Sequence, residues 1–302
     1  LAISNLSGNL VYTKSYELSY DIPASEIVTL LSEMIEQSLK ETSIPRRSVI
    51  GLGVGTPAIV NIKENLALRI SKIPTWENID IASYIREKNG IDISVHNDAH
   101  LLGLIERKFH NLHNESFVYI THRSGVGSAV FINGELYDGC FGNSGYLGHS
   151  CVDIHGEKCE CGNIGCLELF CSRRAIVNQY NKLIKQTSGD FCRSCDDVFG
   201  RSSDGDQIAI EVLNEAGRIL GIGVSNLLRA FDIYQVILGC VKTKNTSFYK
   251  SFVSSINSSL RDFAVKPITV DIGGTEVINS GLAGCYYVLS KFFQAPSLHL
   301  EI

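Results

Sequence analysis

The sequence predicts an α/β protein of two lobes with a cleft between them. Three observations lead there: strand-like and helix-like segments alternate, the pattern runs through twice, and each run carries its own β-hairpin. At 302 residues the chain is long enough to bury two cores. The first run opens with two short strands within residues 1–20, around a Ser7-Gly8-Asn9 turn. Residues 25–40 place Ile27, Leu30, Leu31, Met34, Ile35 and Leu39 at helical spacing, with Ser25 in position for an N-cap. Val49–Val60 reads as one continuous apolar strand, Ile79–Lys88 as a helix, Ile91–Val95 as a strand, and Asp98–Phe109 as a helix directly after Asn97.

The second run starts at Ser116 with two strands joined through a glycine-bearing turn, then a loop and a cysteine cluster. Helices are expected at Ser172–Gln186, Gln207–Phe231 and Lys250–Phe263, strands at Val236–Leu238 and Ile268–Ile272, and a closing helix at Leu282–Phe293. The lobes are expected to span 1–115 and 116–281, with 282–302 returning to the first.

Composition narrows the class. The chain is 44% hydrophobic and 20% charged, with no segment near the roughly 18 consecutive apolar residues of a membrane helix. The first residues alternate like a strand and turn and lack an apolar signal segment. Ten cysteines in such a chain fit a reducing cytoplasm, with thiols serving as metal ligands or small buried hydrophobes. A net charge of −5 gives no diffuse basic footprint, so DNA contact would need a segment absent from this chain.

The densest chemical signal runs from His149 to Glu168. Cys159, Cys161 and Cys166 supply three thiolates in a C-x-C-x4-C knuckle, and His149 or His155 can complete a closed tetrahedral Zn²⁺ site. Gly162 and Gly165 would let the backbone turn the sulfurs toward one point. Full ligation leaves no place for water, which makes the expected zinc structural. Cys192-x-x-Cys195 reads as two thiols near a helix start, or as a redox pair.

Other constellations are weaker. Asn97-Asp98-Ala99 opens a helix, where Asp98 can act as a hydroxyl-facing base or either residue can simply cap. Ser124-Gly125-Val126-Gly127-Ser128 joins two strands and can cradle phosphate through Gly125 and Gly127, or be a plain turn. Asp271-Ile272-Gly273-Gly274-Thr275 has the look of a phosphate loop but stands too late in the chain, and reads as a decoy.

Together these pieces resemble the ROK family of repressors, open reading frames and sugar kinases. The likeness rests on Leu6-Ser7-Gly8, Gly53-Val54-Gly55-Thr56-Pro57-Ala58, Trp76-Glu77-Asn78, His96-Asn97-Asp98-Ala99, Gly139 to His149, and Cys159 to Glu168, which matches C-x-C-G-x-x-G-C-x-E. The resemblance implies an actin-like fold of two RNase H-like lobes, zinc on His149, Cys159, Cys161 and Cys166, and a sugar facing Asn97, Asp98, His149 and Glu168. In kinase members the residue matching Asp98 is the base that acts with ATP and Mg²⁺.

Departures from the family pattern bear on function. The first-strand D-x-G-G-T does not precede the first hairpin, Arg123-Ser124 stands for the Gly-Thr of the second phosphate turn, and Cys240 replaces the second glycine after Val236–Leu238. Tyr146 replaces the glutamate of G-E-x-G-H, and Ala58 a glycine near the sugar. The expected protein is therefore the sugar- or sugar-phosphate-sensing, oligomerising portion of a regulator, a homodimer or tetramer. The alternative is an active sugar kinase.

Overall fold

The computed structural model describes residues 1–18, 22–70, 73–185, 190–274 and 280–294. The chain forms two compact units: 1–105 with 138–143 and 277–302, and 106–137 with 144–276. The division thus falls inside a helix, ahead of residue 115, and a six-residue excursion joins the first unit. That excursion is tied down locally: the Asn143 side chain accepts the Val60 N–H at 2.9 Å.

In the first unit, strands β1 (Ala2–Ser4) and β2 (Leu10–Thr13) form the expected hairpin. Helix α1 (Ala24–Thr42) follows, but Ser25 does not cap it. Pro23 precedes the first turn, and the Ala24 N–H goes instead to Thr75 Oγ1 at 3.1 Å. The apolar run expected as one strand is two: β3 (Leu52–Thr56) and β4 (Ile59–Asn61), interrupted at Pro57-Ala58, because proline has no N–H for a ladder. β4 pairs with β5 (Leu66–Ile70), which pairs in turn with β6 (Ile73–Ile79), in an antiparallel meander whose last two strands the sequence reading missed. Helix α2 (Ile81–Asn89) starts two residues after Ile79, where Asp80 accepts the Ser83 N–H at 2.8 Å. Strand β7 (Ile93–Asn97) lies parallel to β3 and delivers the chain into helix α3 (Asp98–Phe109).

The second unit is built on one five-stranded sheet of order β10-β9-β8-β11-β12. Here β8 is Phe117–His122, β9 Val126–Ile132, β10 Glu135–Leu136, β11 Gln235–Gly239 and β12 Thr269–Ile272. β8 and β9 form the predicted hairpin, and β11 runs parallel to both β8 and β12. A four-residue helix α4 (Glu168–Cys171) leads through Ser172, which caps α5 (Arg173–Ile184) by accepting the Ala175 N–H. The expected end of that helix at Gln186 lies outside the described residues. Helix α6 (Cys195–Ser203) carries the second thiol of C-x-x-C at its start, and burial pushes that thiol up to about 12. Low thiolate character fits a buried structural cysteine rather than a redox pair. Helix α7 (Gln207–Phe231) and α8 (Ser247–Leu260) complete the unit. α8 begins three residues before Lys250 because Thr246 accepts the Tyr249 N–H. Val118, Ile120, Leu220, Val224, Val236, Leu238, Phe248 and Phe252 form one buried cluster of sheet and helices. The closing helix α9 (Ser280–Gln294) belongs to the first unit, and residues 295–302 of the expected segment lie outside those described.

Candidate functional site

In the second unit, Ser128 N–H and Oγ both donate to Gly145 O, at 3.0 and 2.9 Å, pinning the following loop to β9. Leu147–His149 then makes a 3-10 turn that presents His149. The cysteine segment is folded back on itself: the backbone pairs antiparallel at Cys151 with Cys166 and at Lys158 with Ile164. Gly165 makes the return possible. Its φ is +61°, and a Cβ there would lie 1.7 Å from Asp153 O, so only glycine fits.

The result is a four-donor cluster. One ligand atom each from His149, Cys159, Cys161 and Cys166 lies within 4.8 Å of every other, and the set can hold a metal ion. Cys159 Sγ is 3.7 Å from His149 Nδ1, and Cys161 Sγ is 3.6 Å from Cys166 Sγ. His155, the other spacing candidate, is exposed and outside the set. Burial pushes the Cys159 and Cys166 thiols up, so a metal must displace their protons. Glu168, buried at the head of α4, places Oε1 3.6 Å from Cys159 Sγ and 3.7 Å from His149 Nδ1. Tyr146, half-buried, precedes the 3-10 turn.

At the strand ends of the same unit, Arg123 N–H donates to Gly125 O at 2.9 Å and closes the β8–β9 turn. Gly125 lies in that turn, whereas Gly127 is already in the ladder opposite Thr121. Arg123 Nε lies 3.3 Å from Cys240 Sγ, and Arg173 Nη1 donates to Cys240 O at 3.4 Å. Cys240 holds φ +63°, a left-handed backbone.

The late glycine loop has an internal occupant. Glu106 is fully buried, its Oε2 accepts the Gly274 N–H at 3.0 Å, and its Oε1 would lie 2.6 Å from a Cβ added at Gly273. A carboxylate of this chain thus takes one backbone donor of the loop; Thr275 lies outside the described residues. Glu106 escaped the sequence reading because its partner is 168 residues away.

In the first unit, Asn97 Oδ1 and Asp98 Oδ1 both accept the Ala99 N–H, at 2.9 and 2.8 Å, so these residues do cap α3. Just before them His96 is buried, its ring 4.0 Å from that of Tyr287. Burial, with His100 and Lys291 nearby, lowers its pKa to about 4. Asp138 Oδ1 lies 3.7 Å from His100 Nδ1, and burial raises that carboxyl.

The comparisons place this geometry among known proteins. The xylose repressor of Caldicellulosiruptor bescii is 27% identical over 248 residues, 79% of this chain and 62% of the repressor. The chain therefore spans about three fifths of the length of that relative. A crystal structure of a ROK family transcriptional regulator, homologous to the Escherichia coli MLC protein, matches 97% of this chain and 75% of its own with a TM-score of 0.76 at 22% identity. A ROK family glucokinase from Streptomyces griseus in complex with glucose and AMPPNP matches 96% and 95% with 0.77, also at 22% identity. These likenesses give the actin-like, two-lobed fold, which regulators and kinases share. The ROK family model matches residues 1–290, and the chain belongs to the ROK family.

Proposed function

We propose that this chain is the sugar-sensing and oligomerising portion of a ROK-type transcriptional regulator without kinase activity, with DNA contacted through a segment outside it. The observation that carries the reading is the Arg123–Cys240 contact. At the strand ends where the resemblance puts bare glycine backbone for a nucleotide, two side chains meet at 3.3 Å. Sensing needs only that a sugar bind one of two forms better than the other.

Structural Zn²⁺ is proposed on His149, Cys159, Cys161 and Cys166. A tetrahedral ion about 2.3 Å from each sulfur spaces the sulfurs at about 3.8 Å. The 3.6 Å Cys161–Cys166 and 3.7 Å Cys159–His149 separations suit it. The ion would supply a crosslink holding the loop from His149 to Glu168. Asn97, Asp98, His149, Glu168 and Tyr146 are the proposed sugar residues: carboxylates accept hydroxyl protons, and the amide does both. A homodimer or tetramer in the cytoplasm completes the proposal.

A sugar kinase using ATP and Mg²⁺ is the second reading, favoured by Asp98 at the head of α3. Gly125 and Gly127 would then face phosphate. The test is ATP turnover by the zinc-loaded protein against pentoses, hexoses and amino sugars, alongside thermal shifts. The regulator reading expects no turnover and a raised melting temperature with one sugar. Phosphorylation abolished by Asp98→Asn would overturn it.

A further inference from the structure

Glu168 stands between two roles. Its Oε1 is 3.6 Å from Cys159 Sγ, placed to accept the thiol hydrogen, and 3.7 Å from His149 Nδ1. Both atoms belong to the four-donor metal cluster. The carboxylate is buried at the start of α4. A buried carboxylate that loses its donors bears a desolvation cost until new donors arrive.

We propose that Glu168 makes metal occupancy and sugar binding interdependent. This inference rests on the sugar-sensing reading above. When Cys159 Sγ yields its hydrogen to bind a metal, it stops donating to Glu168, and His149 Nδ1 turns its lone pair to the ion. The Glu168 oxygen is then open to the hydroxyls of a sugar, which replace the lost donor. In the metal-free protein the same oxygen accepts from Cys159, with His149 Nδ1 3.7 Å away, and the sugar must displace the thiol. Coupling of this kind is reciprocal, so a bound sugar tightens the metal by the same factor. A second consequence needs no sugar. Three thiolates and Zn²⁺ leave one net negative charge beside a carboxylate, so neutralising Glu168 should tighten zinc.

The experiment measures zinc affinity by competition with a chromogenic chelator, with and without saturating D-xylose, D-glucose or N-acetylglucosamine, whichever calorimetry shows to bind. Wild type, Glu168→Gln and Asp98→Asn are compared after melting curves verify folding. The expected result is at least fivefold tighter zinc with sugar in wild type. That ratio persists in Asp98→Asn at higher sugar concentration and falls to near one in Glu168→Gln. Equal zinc affinity with and without a sugar that binds would overturn the coupling and leave the sensor reading standing. If no sugar binds, the sensor reading fails, and the sugar-free arm decides the inference. Glu168→Gln should then hold zinc at least threefold more tightly than wild type, and affinity equal to or weaker than wild type would overturn it.

Discussion

The two units keep their shape by different means. The second rests on one five-stranded sheet with Val118, Ile120, Val236 and Leu238 buried against Leu220, Val224, Phe248 and Phe252 of α7 and α8. Its irregular part, from His149 to Glu168, sends Leu167 into that core and gathers four donors that can hold a metal ion. The first unit is divided among a hairpin, a two-stranded parallel pair and a three-stranded meander. A polar network ties its helices: Ser32 Oγ donates to Asn89 Oδ1 at 2.9 Å, and Asn89 Nδ2 donates to Ser32 O and Glu36 Oε1. The contrast teaches where each unit is vulnerable: the second at the four donors proposed to hold zinc, the first at the Ser32–Asn89–Glu36 network.

The largest expected effect falls on the second unit. Zinc chelation, or Cys161→Ser, should lower its melting transition by about 10 °C, the equivalent of about 3 kcal/mol in a domain of this size. Calorimetry with and without a chelator measures this, and an unchanged curve would remove the proposed crosslink.

Acid sharpens the comparison next. Burial lowers His96 in the first unit and His122 in the second to about 4. Both are neutral when folded. Their contribution is therefore complete above the unfolded value of about 6.5 and is lost as pH falls from there toward 4. Each accounts for up to about 3 kcal/mol of acid sensitivity. His96→Asn should flatten urea stability against pH in the first unit while the second keeps its slope. A parallel loss in both would contradict separate polar interiors.

Smaller still is Glu106→Gln, which keeps one acceptor for Gly274 N–H but loses the charge-assisted bond. A cost of about 1–2 kcal/mol in urea denaturation is expected. The smallest is Tyr146→Glu, which restores a carboxylate acceptor and should strengthen binding of a glucose-like sugar about threefold by calorimetry.

Legibility in the sequence followed the same division. α3 and α7 were read to the residue, because apolar positions recur at helical spacing and the chain turns sharply at both ends. Thiol spacing pointed to the three cysteines of the four-donor cluster and to the glycine at 165, but left His149 and His155 open, and the choice of His149 came from the family resemblance. β5 and β6 were not. Arg69, Thr75 and Glu77 interrupt their apolar residues, and what holds them is pairing plus the Trp76 Nε1 bond to Ala67 O at 3.1 Å. Ser25 misled because proline and a distant threonine took over its task. The positions of Glu106 and His96 depend on contacts remote in the chain, which local spacing does not encode.

Cys240 holds its side chain against a conformational cost. A left-handed φ of +63° is a conformation in which a cysteine is held at a cost of about 1 kcal/mol and a glycine rests freely. The strain is local, and it places the sulfur 3.3 Å from Arg123 Nε, so a glycine at 240 would relax the main chain only by giving up that contact.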